Sequence, residues 1–198
     1  MKSNVCKIEN GTKDLAAILK ESEKVAVYNE LTHKQGLQLR LICEEIDGML
    51  PNIIDDFNGE LWIEFEEGVC KVHLSLRFNE FSTEKKAELV SIAKNKKNAA
   101  AVGIVGKIRS AIENAFLNED VLEGFSIVAN SYYYATEHHD CRDYAAAWSL
   151  EQYRTNVKKD ETPEWDELEK SVIASVADDV IVGVKGKQAD IIVVKKFA

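Results

Sequence analysis

Proline is nearly missing from this chain, at two residues in 198, and glycine contributes only ten. So few backbone breakers exclude a fibrous or low-complexity disordered chain. Long apolar runs are missing too. The stretch from Met1 to Lys20 carries Lys, Asp, Glu and Asn throughout, which excludes the apolar centre of a secretion signal. No stretch elsewhere has the length of apolar sequence that a bilayer span needs. Paired cysteine motifs are also lacking: Cys6, Cys43, Cys70 and Cys141 are scattered, with no Cys-x-x-Cys. In a chain without a secretion signal such cysteines are expected to be reduced, mostly buried thiols, and the expected location is the cytoplasm. Positive charge is in deficit, with 25 Lys and Arg against 34 Asp and Glu, a net charge of −9. That balance argues against the extended phosphate-tracking surface of a nucleic-acid-binding protein. An acidic surface first of all means solubility.

What is present is a folded composition, 45% hydrophobic and 30% charged. The length suits one elaborated domain or two small ones. Val5 to Glu9 reads as a short strand, and Thr12 can cap a helix running towards Tyr28. Thr32 and Gln35 have the spacing of a capping box, in which hydroxyl and amide satisfy each other's backbone donors. The helix they open carries Leu39, Ile42, Ile46 and Met49 on one stripe and is expected to stop near Pro51. From Gly59 to Asn79 the pattern is a β-hairpin turning at Glu67-Gly68. Cys70, Val72, Leu74, Leu76 and Phe78 alternate with Lys71, His73, Ser75 and Arg77, which predicts one buried face and one wet face.

Ser82 can cap a helix from about Thr83 to Ala93, Asn95 to Ala101 reads as a loop, and a further helix is expected from Gly103 to Phe116. Leu117 to Lys159 holds Tyr132, Tyr133, Tyr134, Tyr144, Trp148 and Tyr153, and is mostly helical by pattern. Thr162-Pro163 starts another helix with Trp165, Leu168, Val172 and Val176 as its stripe. Val180 to Val184 and Ala189 to Lys195 form a second hairpin turning at Lys185-Gly186-Lys187. Neither hairpin is stable alone. The economical arrangement is an α+β fold, a two-layer sandwich with a mixed, mainly antiparallel sheet and helices on one face.

Three constellations could carry chemistry. Leu89 to Ile112 contains no acidic residue, yet holds Lys94, Lys96, Lys97, Lys107 and Arg109. Within it Gly103-Ile104-Val105-Gly106-Lys107 falls at the expected start of a helix. Free backbone N–H groups, the positive end of the helix dipole and nearby lysines together suit a phosphate. It is not a P-loop, since Ile108 stands where that motif needs Ser or Thr. The same residues also suit a basic loop that docks on the protein's own acidic surface. Second, Glu44-Glu45 on the capped helix could supply a general base or help hold Mg²⁺, or could be a solvated pair. Third, His138-His139-Asp140-Cys141 contains zinc-ligating types, but adjacent helical residues diverge by about 100°. No second cluster exists to complete a site, so polar surface is the simpler account.

With these residues in view, the chain resembles the histidine-kinase-like ATPases, the group of sensor kinases, DNA gyrase, mismatch-repair ATPases and anti-sigma-factor kinases. The helix Leu39 to Leu50 resembles that family's N-box helix. The resemblance aligns Glu44 with the glutamate that polarises water and Gly48 with the asparagine that holds Mg²⁺; aligning Glu45 instead puts Met49 there. Where an adenine-binding Asp-x-Gly-x-Gly would follow the first hairpin, the chain has Phe78-Asn79-Glu80-Phe81. Lys94 to Val102 looks like the lid over the nucleotide, and Gly103 to Ile108 like the helix that cradles the phosphates. Gly-Lys-Ile-Arg at 106–109 and Ala-Asp-Asp-Val-Ile-Val-Gly-Val-Lys-Gly at 177–186 liken the whole chain more closely to a group of bacterial proteins labelled as histidine-kinase-like and ATP-binding.

The resemblance implies one domain over 1–198 with a helical insertion at 117–160, and a regulatory protein that binds ATP or ADP with little or no turnover. The site residues it implies are Lys94, Lys96, Lys97, Gly103, Gly106 and Lys107 for the nucleotide, with Glu44 or Glu45 as the base. No protein metal ligand is implied, so the case for Mg²⁺ is weak. Partners would be a nucleotide and another protein, not nucleic acid or a membrane. Two rivals stand beside it: a non-catalytic protein-interaction module that keeps the fold without the nucleotide, and a hydrolase built on His138 to Cys141.

Overall fold

A computed structural model describes residues 1–9, 15–53, 57–78, 103–117, 146–157, 171–185 and 187–197. In chain order the elements are β1 (Cys6–Glu9), α1 (Leu15–Tyr28), α2 (His33–Ile53), β2 (Phe57–Glu66), β3 (Val69–Phe78), α3 (Gly103–Leu117), β4 (Ala146–Ser149), α4 (Leu150–Val157), α5 (Val172–Val176), β5 (Asp179–Lys185) and β6 (Gln188–Lys196). The six strands form one sheet in the order β1-β2-β3-β6-β5-β4. Every pairing is antiparallel, so the sheet among the described residues is not mixed.

The first hairpin turns where expected. Glu67 and Gly68 both have positive φ, 49° and 79°, as a two-residue turn matched to the strands' twist requires. Leu61 pairs with Leu74, and Leu74 in turn with Ile191, so the two hairpins lie side by side. Side chains of that row and its alternates, including Leu61, Ile63, Cys70, Val72, Leu74, Leu76, Val182, Ile191 and Val193, form one buried face. Ile18 and Val25 of α1, the stripe of α2, Ile104, Ile108 and Ile112 of α3, Leu150 of α4 and Ile173 of α5 belong to the same apolar cluster. The described helices therefore cover one face of the sheet, and the fold is α+β.

The capping box forms. Thr32 N donates to Gln35 Oε1 at 2.8 Å, and Gln35 N to Thr32 Oγ1 at 3.4 Å. The far end of α2 departs from expectation, because the helix passes Pro51 and ends at Ile53. A proline inside a helix costs about 3 kcal/mol. Met49, Leu50 and Ile53 are all buried, and at roughly 1.5–3 kcal/mol for each fully buried apolar side chain they outweigh the break.

Four further differences are informative. His73 was expected on the wet face but is only 6% exposed. Its ring stacks on Trp62 with centroids 4.9 Å apart and planes 4° from parallel. Glu64 lies beside both: Trp62 Nε1 donates to it at 2.9 Å and Lys2 Nζ stands 3.1 Å away. Second, the segment read as a helical insertion contributes β4 to the sheet and then α4, while 118–145 and 158–160 lie outside the described residues. Third, the buried residues of α5 are Ile173 and Ala174, with Val172 and Val176 only half-buried. Trp165 and Leu168 lie outside the described residues, as does the expected helix from Thr83 to Ala93. Fourth, β5 and β6 are buried on both faces. Ile181, Ile192 and Val194 form a second small cluster with Val69 on the face away from α2.

Cys6, Cys43 and Cys70 are buried, and Cys43 and Cys70 are free thiols. Burial is the main force pushing the Cys43 thiol far above its ordinary range, with Cys70, Cys6 and Glu44 adding to it. Burial alone raises Cys70 to about 12. Among the described residues no helix is long and apolar enough to cross a membrane.

Candidate functional site

The start of α3 falls at Gly103, the first residue of a 15-residue helix. Ile104, Ile108 and Ile112 recur every four residues and are 0–2% exposed, which seats one face of α3 in the core. Gly106 is buried on the same helix, while Val105, Lys107 and Arg109 remain half-buried. The first turn holds no acidic residue. Its backbone N–H groups have no carbonyl earlier in the helix to bond. Gly103, Gly106 and Lys107 thus lie in the first two turns of one helix, whereas Lys94, Lys96 and Lys97 lie outside the described residues.

Lys107 reaches across to α4. Its Nζ lies 4.9 Å from the centroid of the Tyr153 ring. That ring also meets Trp148 of β4, with centroids 6.2 Å apart and planes at 46°. The position of Tyr153 is fixed from below. Asp179, buried on β5, accepts from Ser149 Oγ at 3.1 Å, from Glu151 N at 2.9 Å and from Val180 N at 2.8 Å. Ser149 Oγ in turn accepts from Gln152 N at 3.3 Å. Two side chains therefore cap the first turn of α4, and Leu150 anchors it at 0% exposure. At the other end Arg154 donates to the carbonyls of Asp178, at 3.1 Å, and of Ala174.

The carboxylates of α2 are placed differently. Glu44 Oε1 accepts from Arg40 Nε at 3.0 Å, and the same guanidinium reaches Glu23 of α1 at 3.2 Å. Glu44 is thereby tied into a bridge between α1 and α2. Glu45 is half-buried beside it. Gly48 faces open space, since a side-chain carbon built on it would meet nothing within 4 Å. Among the described residues no group of three His, Cys, Asp or Glu is placed to hold a metal ion. His138, His139, Asp140 and Cys141 lie outside them.

Sequence reasoning missed Tyr153 as a neighbour of Lys107, and Trp148, Ser149 and Asp179 as the groups around Tyr153 and the start of α4. One signal was available: Ser149 followed three residues later by Gln152 has capping-box spacing. No family model matches this chain, nor does any curated protein or solved structure.

Proposed function

We propose that the chain is a cytoplasmic regulatory protein of histidine-kinase-like ATPase type that binds ATP or ADP chiefly through the phosphates, with little or no hydrolysis. The observation that carries this reading is the start of α3. A helix N-terminus opens at Gly103, free of acidic residues in its first turn, with Lys107 on the following turn. In a chain with nine more acidic than basic residues, an acid-free stretch from 89 to 112 around that terminus is the most anion-friendly place in the sequence. The order of elements behind the resemblance also agrees with it: a capped α2, a hairpin, α3, and a closing helix and hairpin in the same sheet. The residues fit phosphate better than they fit catalysis. Glu44 is engaged by Arg40, and Gly48 offers no ligand to Mg²⁺.

A thermal-shift or calorimetric titration with millimolar ATP and ADP, with and without Mg²⁺, tests this. A ligand at 100 times its Kd stabilises the folded state by about 2.7 kcal/mol. For a domain of this size that is a rise of roughly 5–10 °C. Lys107→Ala should reduce the shift, Glu44→Gln should leave it largely intact, and Mg²⁺ should change it little. The absence of a shift for every nucleotide would retire the proposal.

A second reading, a protein-interaction module without nucleotide, has its own observation. Val27, Tyr28 and Leu37, around the connection of α1 to α2, are 79%, 72% and 52% exposed. Large apolar side chains left in water at one end of a helix pair suit a docking contact.

A further inference from the structure

We infer that the outer face of the α1–α2 pair is a contact between two copies of this chain, laid antiparallel about a two-fold axis. This goes beyond both readings above and depends on neither. Of the five large apolar side chains left exposed among the described residues, Val27, Tyr28 and Leu37 belong to this helix pair. Leu37 lies on the side of α2 away from the core, about 160° round the helix from buried Leu39. Leu41, one turn on, is only half-buried and stands outside the apolar core cluster. Lys34 precedes Leu37 by one turn and Glu44-Glu45 follows Leu41 by another, so all share one stripe of α2. Gly48 continues the stripe, with open space around it.

Charge identifies the occupant. His33 and Lys34 open α2, no acidic residue lies in its first turn, and no basic residue lies in its last. That order runs against the helix's own dipole. A second α2 laid antiparallel on the first, with the axis between positions 39 and 40, sets each Leu37 against Leu41 of the other copy. The same axis sets each Lys34 against the other copy's Glu44-Glu45. A two-fold contact requires a face that complements itself in this way. The neighbouring helix complements itself about the same axis. Arg40 Nη1 reaches Glu23 at 3.2 Å, so position 40 of α2 stands level with position 23 of α1. The rotation therefore brings Glu23 opposite Lys24 of the other copy, and Val27 opposite the apolar stem of Lys20. A few turns of two helices make a small contact, so the dimer is weak and forms at micromolar concentration.

The test is analytical ultracentrifugation of the full chain, without ligand, over about 5–500 μM. Wild-type protein should show a reversible monomer–dimer equilibrium in that range. Lys34→Glu and Glu45→Lys each set like charges against one another across the axis, and each should weaken self-association roughly tenfold or more. An equimolar mixture of the two variants should recover it, because the carboxylate introduced in one then meets the ammonium introduced in the other. Recovery in the mixture also shows that both variants are folded, which a merely structural role for either residue would not produce. Wild-type protein that stays monomeric throughout overturns the inference and leaves both readings above standing. Self-association that Lys34→Glu leaves intact, or that the mixture fails to recover, overturns it as well, since the copies then meet elsewhere or in another register.

Discussion

Replacing Gly59 with alanine asks whether the first hairpin is as tightly closed as its register implies. Gly59 pairs with Leu76 on one side and with Ile8 on the other. A methyl group there would lie 2.5 Å from the Ser75 carbonyl oxygen and 2.9 Å from Leu76 Cδ2, well inside the 3.4 Å at which ordinary contact begins. Leu76 can rotate, but Ser75 O belongs to the ladder and can yield only if the strands part. Forcing an extra methyl into a closed site costs about 1–3 kcal/mol. Alanine returns roughly 0.4–1 kcal/mol by restricting the unfolded chain. The net expectation for Gly59→Ala is a loss of about 1–2 kcal/mol. With a urea slope of about 2 kcal/mol per molar, the midpoint should fall by roughly 0.5–1 M at unchanged slope. Gly48 supplies the control, since nothing lies within 4 Å of its missing side chain. Gly48→Ala should therefore stabilise α2 by about 0.5–1 kcal/mol. A Gly59→Ala midpoint at or above that of wild type would refute the register.

Cys43 and Cys70, buried and with thiols held well above the ordinary range, should react with a polar thiol reagent only as fast as the protein opens; rapid native labelling of either contradicts their placement. Glu21 accepts from Lys24 and, at 3.1 Å, from Asn4 N, and is 8% exposed. The hydrogen bond from Lys24 does most to hold its carboxyl below 4.5, helped by Asn4 against the opposing effect of burial. A carboxyl depressed by folding stabilises at neutral pH and loses that contribution as pH falls below 4.5 through the folded value. Glu21→Gln should thus cost about 1–2 kcal/mol at pH 7, with the gap from wild type closing under acid. A gap that stays constant from pH 7 to pH 3 would contradict this.

Much of the fold was legible because its signals are local. The alternation of Cys70 to Leu76, the Glu67-Gly68 turn and the Thr32–Gln35 box each depend on residues a few positions apart, and each appears in the structure. Errors arose where distant partners decide. Pro51 is a helix breaker in isolation, but the apolar residues on either side of it are held by the core. His73 reads as solvent-facing from its neighbours in sequence. Its surroundings are set by Trp62 on the next strand and by Glu64, whose carboxyl burial would raise but Lys2, Trp62 and His73 hold down. The strand at Ala146 to Ser149 was hidden because four residues carry too little periodicity to separate a short edge strand from a helix.

The same division applies to the candidate site, and it bears on what the site can do. The glycines and Lys107 were readable because a helix start is a local property. Glu44 was readable as a carboxylate on α2, but not as one engaged by Arg40, since that bridge draws in Glu23 from α1. A base must be within hydrogen-bond reach of the proton it removes, and Glu44 Oε1 already accepts from Arg40 Nε at 3.0 Å. Lys107, by contrast, lies with its Nζ 4.9 Å from the centre of the Tyr153 ring. The carboxylate is thus occupied within the helix pair, whereas the cation stands on a helix whose first turn holds no acidic residue. This asymmetry is why binding without turnover, rather than hydrolysis, is the function proposed for the pairing of α2 with α3.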